Sequence, residues 1–431
     1  MKKLLPSFLV LALTAGSGVA NARNNNQIPA DSVMSRVHVV TGNSAIAAHR
    51  ENIMVMNMAY NQAFEDPSAP RFLFLDREGK VALGIGGTVK AEAMYDMNGA
   101  INNNSFVTSQ IPVPFNPAQR NRFGATATHS GIFLKLVTQP TRIGRIIVYV
   151  QSEFTGDDGA YGFQLKQAYV QVGHLTLGKA RSTFSDGPAM APTIDDQGPS
   201  GQVTAKNMLV QYATSNYSGF TAAIAAELPS ATYTEGTSTS SIAQRFPDIP
   251  VYAQYAWNSG ESHARISGIL RQLSYRDDAA SANHFVTGWG VQFSLVSKIA
   301  GGLDIFGHYT YGKGIGSYIN DLAGDGFDLI ADTNNPGKLV APGSAGYTAG
   351  LQYTFSPRFF MTGSYSHAQL YDAGHLGGDT YRSGQYIDFN AFYNVWDGLR
   401  VGLEYIHGNR TDYNGQTGRA NRLLAMLQYN F

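Results

Sequence analysis

Arg181, Asp186, Asp195 and Asp196 share one stretch, RSTFSDGPAMAPTIDDQGPSGQ, from Arg181 to Gln202. It is too rich in Gly, Pro, Ser and Asp for a helix or strand, because each of those residues favours turns. Charges on such a loop act as fixed charges. Segments elsewhere alternate apolar and polar residues, and their polar faces carry basic Lys90, Arg145, Arg265, Arg271, Arg400 and Arg422. The same faces carry acidic Glu92, Glu153, Asp304 and Glu404. A basic wall opposite an acidic loop would set a transverse field across a narrow passage, the arrangement by which charged rings select ions.

Covalent chemistry has no comparable set. The chain holds 10 His and no Cys. His129, His174, His263, His308, His367 and His407 stand in no recognisable nucleophile motif such as G-x-S-x-G. No H-E-x-x-H or Cys cluster offers a zinc site, and the spaced oxygen ligands of a calcium loop are not evident. Gly84-Ile85-Gly86-Gly87 is no phosphate loop, since no helix or Lys-Ser follows in register. The sequence therefore assigns no catalytic residue, no metal ligand and no cofactor. A plainer role stands beside selectivity. Charges that cannot face lipid must face water whatever passes, and Asp195 and Asp196 could hold the loop by pairing with wall arginines or cap turns.

The elements that position these charges are strands. Val81, Leu83, Ile85, Val89 and Ala91 share one face, opposite Gly84, Gly86, Thr88, Lys90 and Glu92. The pattern recurs around Trp289–Leu295, Tyr347–Phe355, Val401–Tyr405 and Leu423–Phe431. Apolar-out, polar-in strands suit a barrel with a wet interior, and lipid demands that such a barrel close. About sixteen runs are expected, beginning near Val81, Phe123, Ile143, Tyr161, His174, Val203, Tyr217, Ile249, Ser262, His284, Gly301, Ala345, Phe359, Thr380, Leu399 and Arg419. Their connections alternate short and long. The long ones, including Met97–Arg120, Arg181–Gln202, Ser230–Asp248, Arg276–Asn283, Ile315–Ser344 and Asp412–Gly418, would lie at one end, as in outer-membrane barrels. The Arg181 stretch is then the third outer loop, folded inward. Trp257, Trp289 and Trp396 fall near predicted strand ends, where a membrane-interface girdle belongs.

Composition agrees. Basic and acidic residues number 31 each, which gives no hint of a nucleic-acid partner, and charged residues are 14% of the chain, against roughly 25% in ordinary globular domains. Absence of Cys suits passage through an oxidising periplasm. Met1–Ala22 reads as a secretory signal, with Lys2 and Lys3, an apolar Leu4–Ala15 core and the Ala20-Asn21-Ala22 cleavage site. Residues 23–70 are expected to be a periplasmic segment, with Ser44–Phe64 an imperfect amphipathic helix or a linker, ended by Asp66-Pro67. The barrel would occupy 71–431. The last face ends on Phe431, similar to the terminal signal that barrel-assembly machinery reads.

Two stretches carry a family resemblance. Arg71-Phe72-Leu73-Phe74, Gly79 and Leu83-Gly84-Ile85-Gly86-Gly87-Thr88-Val89-Lys90 resemble the opening strand of DcaP-like trimeric porins. Gln167-Ala168-Tyr169-Val170 through Gly178, Ser182-Thr183-Phe184, Ala191-Pro192 and Ile194-Asp195-Asp196-Gln197-Gly198-Pro199 are similar to that family's constricting loop and flanking strands. Arg181 stands where many members carry an aromatic residue. The resemblance implies a sixteen-stranded homotrimer in the outer membrane of a Gram-negative bacterium, in contact with lipid and lipopolysaccharide. It also implies passage of small, often anionic, solutes. The alternatives are a channel specific for sugars or peptides, for which Phe306 and Tyr386 are the candidate lumenal aromatics, and a non-conducting adhesive barrel.

Overall fold

A computed structural model of the chain describes residues 38–39, 56, 70–76, 80–99, 104–156, 161–299 and 301–431. The expected signal Met1–Ala22 lies outside the described residues, as does Ser44–Phe64 apart from Met56. The Met56 carbonyl accepts from Lys135 Nζ at 3.1 Å.

Sixteen antiparallel strands close into one barrel. They are β1 Val81–Asn98, β2 in two pieces (Arg122–Thr126 and Gly131–Thr138), β3 Ile146–Glu153, β4 Gln164–Val172, β5 Leu175–Arg181, β6 Lys206–Ala213, β7 Phe220–Glu227 and β8 Ile249–Trp257. The circuit continues through β9 Ser262–Asp277, β10 Ala282–Ile299, β11 Leu303–Lys313, β12 Gly343–Ser356, β13 Phe359–Leu370, β14 Tyr381–Trp396, β15 Leu399–Asp412 and β16 Thr417–Asn430. Every strand pairs with its sequence neighbour, and β16 returns to β1 from Asn421↔Asn98 to Asn430↔Thr88. Beyond that point the short strand Phe72–Leu75 takes over the same edge of β1, with Phe72 opposite Ile85 and Leu75 opposite Ala82. Each strand start lies within three residues of its expected position.

Alternation explains the wall. Val291 and Phe293, Leu351 and Tyr353, and Leu423 and Leu427 are exposed on the outside, while their neighbours turn inward and are buried or half-buried. In hydrocarbon no water would satisfy a free backbone group, so closure follows from the same pattern.

Two outer connections differ from expectation. Residues 278–281 and 413–416 are as short as turns, because β9, β10, β15 and β16 continue through what reads as loop. The 18-residue β10 also relocates Trp289. It lies inside that strand, level with Lys313 at the end of β11, and meets Tyr311 edge to face at 5.9 Å. Trp257 and Trp396 do end their strands.

The interior departs further from a plainly polar lumen. Three outer loops fold into it. Residues 99–121 contribute Phe106 and Ile111, which pack with Ile194, Tyr386, Phe392, Ile406, Leu424 and Met426. Residues 314–342 contribute Ile315, Tyr318, Ile319, Leu322, Phe327 and Ile330, which pack with Phe184, Val203, Ala368, Leu370 and Tyr381. Each large apolar side chain so buried contributes roughly 1.5–3 kcal/mol. A large part of the lumen is thus a packed core.

Candidate functional site

Residues 182–205 leave β5, cross the interior and return to β6. Two anchors hold them. At the first, the buried Asp186 carboxylate accepts from His263 Nε2 at 2.8 Å and Ser294 Oγ at 2.5 Å. Arg265 donates to the Ser185 carbonyl at 2.9 Å and lies 3.8 Å from Asp186. Burial alone would raise the Asp186 carboxyl, but Arg265 and His263 outweigh it and hold it well below the usual carboxylate range.

At the second anchor Lys90 Nζ donates to the Ile194 carbonyl at 2.7 Å, and the Asp195 amide donates to Glu404 Oε2 at 2.6 Å. The Asp195 carboxylate accepts the amides of Phe106 at 2.8 Å and Gly198 at 3.0 Å. Burial pushes the Asp195 carboxyl up to about 7, against the pull of nearby Arg422 and these two amides. Farther along, Thr362 Oγ1 donates to the Pro192 carbonyl at 2.7 Å, and the Gly201 amide donates to Ser366 Oγ at 2.8 Å.

The three inward loops interlock. Asn320 and Asp321 of the loop at 314–342 donate backbone amides to the carbonyls of Gln202 and Ser200 at 2.8 and 3.1 Å. The Asp321 carboxyl accepts from the Thr108 amide at 3.3 Å and from the Thr108 hydroxyl. Burial pushes that carboxyl up to about 7 as well, the Thr108 donors opposing it.

A cavity of about 460 Å³ lies between the third loop and a wall made of β1–β6, β9–β12 and β16. Its cationic wall is Lys90, His129, Lys166, Arg181 and Lys206. Asp196 projects into it from the loop, with Glu153 opposite Lys166 at 3.0 Å. Asp196 lies 3.5 Å from His129 Nε2, and His129 Nδ1 contacts the buried Glu92. Burial alone would raise the Asp196 carboxyl, but His129, Lys166, Lys90 and Lys206 hold it well below the usual range. An apolar side of the same cavity is lined by Phe133, Pro188, Met190, Val296 and Phe306.

Two members of the cationic wall reach the lumen at breaks in the strand pattern. Lys166 is the extra residue of a bulge, because Gln151 pairs with Gln167 and the adjacent Ser152 pairs with Leu165. A bulge re-aims a side chain that alternation would send outward. His129 lies in the gap of β2, where residues 127–130 face 89–91 of β1. Arg181 follows Gly178 at φ +135, a conformation that favours glycine. It pairs with Lys206 where β5 and β6 meet the loop.

The sequence-derived residues divide accordingly. Lys90, Arg181, Asp196, Glu153 and Asp304 line the cavity. Asp186, Asp195, Arg265 and Glu404 serve the loop anchors. Arg271 is enclosed at the long-loop mouth, 3.0 Å from Asp248 and 2.7 Å from Asp328. It therefore ties loops together instead of facing the cavity. Arg422 pairs with Asp96 at 2.7 and 3.0 Å. Arg400 donates to Asn394 at 2.7 Å and lies over Phe360. Arg145 is buried beside a short turn, where its carbonyl accepts from the Gly173 amide. Neither it nor Arg271, Arg400 or Arg422 lines the cavity. Phe306 lines the cavity and Tyr386 is in the packed fill. Sequence reading missed His129, Lys166 and Lys206 as wall residues. The two lysines could have been flagged as charges stranded on an otherwise outward face.

A family model described as the porin subfamily matches residues 118–423. The outer membrane channel DcaP of Acinetobacter baumannii aligns with TM-score 0.72 at 20% identity, covering 83% of this chain and 99% of that one. OmpT of Vibrio cholerae aligns with TM-score 0.50 at 11% identity, covering 82% and 98%. OprB of Pseudomonas putida aligns with TM-score 0.50 at 11% identity, covering 81% and 94%. At these identities the likeness is one of fold. No curated protein matches the chain significantly.

Proposed function

The chain belongs to the porin subfamily, an outer-membrane channel of a Gram-negative bacterium, and from that premise we propose that it passes small hydrophilic solutes with a mild preference for anions. The third outer loop filters them by size and charge. The observation that carries this reading is the placement of Lys90, Lys166, Arg181 and Lys206 around one narrow cavity that the loop itself bounds. Flanked by packed protein on the loop side, those charges act more strongly than on an open surface. The family and fold are those of passive channels, so no catalytic step is required. A homotrimer and cleavage after Ala22 belong to the same reading.

A second reading, a channel with a preferred solute, is favoured by Phe133 and Phe306 on the apolar side of the cavity. Aromatic faces there could hold the ring of a sugar or the side chain of a peptide.

Single-channel recording in planar bilayers under a salt gradient tests the proposal, with wild type and a protein lacking 185–198. Reversal toward the anion in wild type and a larger conductance in the deletion are expected. Heat-modifiable, folded protein that fails to conduct would sink the transport reading.

A further inference from the structure

We infer that the outer face of β12–β16 and β1 holds a phosphorylated glycolipid of the outer leaflet, gripping its sugar hydroxyls with a row of amides and its phosphates with Arg382 and Arg419. Every outer-membrane barrel touches such lipids, but this face carries a site for one. The site lies outside the barrel and is independent of what the lumen passes.

Register sets the row. Tyr347 faces His367, His367 faces Gln385, Gln385 faces Asn409 and Asn409 faces Arg419, so one line of polar side chains crosses five adjacent strands. Their chain neighbours Ala368, Tyr386, Gly408 and Ala420 are buried, so the row points outward. One pair lower, His407 faces Asn421 and Asn421 faces Asn98. The amides position one another. Asn409 Nδ2 donates to Gln385 Oε1 at 2.8 Å, and Asn421 Nδ2 donates to Asn98 Oδ1 at 2.6 Å while its Oδ1 accepts from the Tyr405 hydroxyl at 2.8 Å. The Gln385 amide nitrogen and the Asn409 amide oxygen make no hydrogen bond among the described residues, which leaves a donor and an acceptor for a sugar.

The height is that of lipid headgroups. Along β15 the outward residues below the row are Leu399, Val401, Leu403 and Tyr405. At about 2.5 Å of height per residue of a tilted strand, Asn409 stands roughly 25 Å above Leu399, the height of the apolar band of such a barrel. Across the barrel the pattern differs: Met208 and Val210, at the loop end of β6, are apolar and exposed.

Two unpaired cations stand at this level. Arg419, and Arg382 in the bulge between Tyr381 and Ser383, are exposed and make no hydrogen bond or ion pair among the described residues. Arg410 and Arg422 of the same strands are by contrast paired with Asp412 and Asp96. The acids of β13–β16 are Asp388, Glu404 and Asp412, all buried, so the outer face of these strands carries no carboxylate to repel a phosphate. Arg382 and Arg419 flank β15 two strand spacings apart, about 10 Å. A guanidinium holds a phosphate through paired N–H donors.

The test titrates the full chain, purified in detergent, with lipid A carrying both phosphates. Dephosphorylated lipid A and phosphatidylglycerol are the comparison probes, and EDTA is present so that no divalent cation bridges. Binding is read by native mass spectrometry. The doubly phosphorylated lipid A is expected to bind tightest. The double variant Arg382→Ser, Arg419→Ser should lose about 10-fold or more in affinity for it. Gln385→Leu with Asn409→Leu should weaken both forms of lipid A. Arg358→Ser, at an exposed arginine in a short turn at the other end of the barrel, should bind as wild type. Phosphatidylglycerol bound as tightly as lipid A would overturn the inference, leaving a plain anionic-lipid surface. So would double variants that bind like wild type. Should the arginine variant not fold, the amide variant carries the test on the same terms. Single-channel conductance of both double variants should stay at the wild-type value, so the outcome does not depend on the proposed transport.

Discussion

Gly201 of the third loop lies backbone to backbone on Gly346 of β12. A Cβ on Gly346 would fall on the Gly201 carbonyl, and a Cβ on Gly201 would meet the Tyr347 amide nitrogen at 2.6 Å. The loop reaches the wall here only because neither residue has a side chain. Gly346→Val is therefore expected to lift this end of the loop and to break the Gly201–Ser366 hydrogen bond, while the barrel still closes. Higher single-channel conductance with retained heat-modifiability is the expected result. Unchanged conductance would show that the loop is held elsewhere.

The interlock of loops should depend on pH. Asp195 and Asp321 both rise to about 7 from an ordinary 3.8. The folded state then holds protons that the unfolded state releases between about 4 and 7, so the stability of the interlock falls as pH rises through that window. Asp186 runs the other way. Its depressed value contributes stability that is present above 3.8 and is lost only in strong acid. Between pH 5 and pH 8 the first trend governs. More frequent current fluctuation at about pH 8 than at about pH 5 is expected. Asp321→Asn, neutral throughout, should flatten the difference.

Phe106 is buried against Tyr386 at 5.9 Å in an edge-on pair and lies beneath Arg422. Phe106→Ala should cost about 3–5 kcal/mol of packing. The loss falls on the filled side of the lumen, so conductance should rise and the first loop become sensitive to added protease. Protection equal to wild type would argue against a packed fill.

Gly178 lies three residues before Arg181 in β5. With φ +135 and the Ala168 carbonyl where a Cβ would go, Gly178→Ala is strained whatever the space. The added Cβ is expected to push β5 away from Ala168 and to displace Arg181 from its place at the cavity. A fall in anion preference, without loss of the folded barrel, is the expected readout in a salt gradient.

The wall was legible in the sequence because lipid enforces a period of two over every strand. Lys90 is a direct product of that period. The cationic wall was less legible for the same reason: Lys166 reaches the lumen where the period fails, at a bulge, and His129 sits in the gap of β2. Alternation also tells which side of the wall a charge faces but not its height, so Arg271 and Arg400 could not be told from Lys90. The inward path of the loops at 99–121 and 314–342 depends on contacts far apart in sequence, such as Asp195 with Phe106 and Asp321 with Thr108. No local signal carries those.

The short strand Phe72–Leu75 has a consequence for how the protein can be trimmed. It pairs with β1 below the point where β16 ends, sending Phe72 and Phe74 outward and burying Leu73 and Leu75. A chain begun at residue 80 would leave that part of the β1 edge with bare amides and carbonyls facing lipid, where no water can satisfy them. Such a truncate should leak at the seam or borrow a strand from another molecule. Phe72–Leu75 must therefore stay in any trimmed chain, and its free edge is in turn paired by His38–Val39.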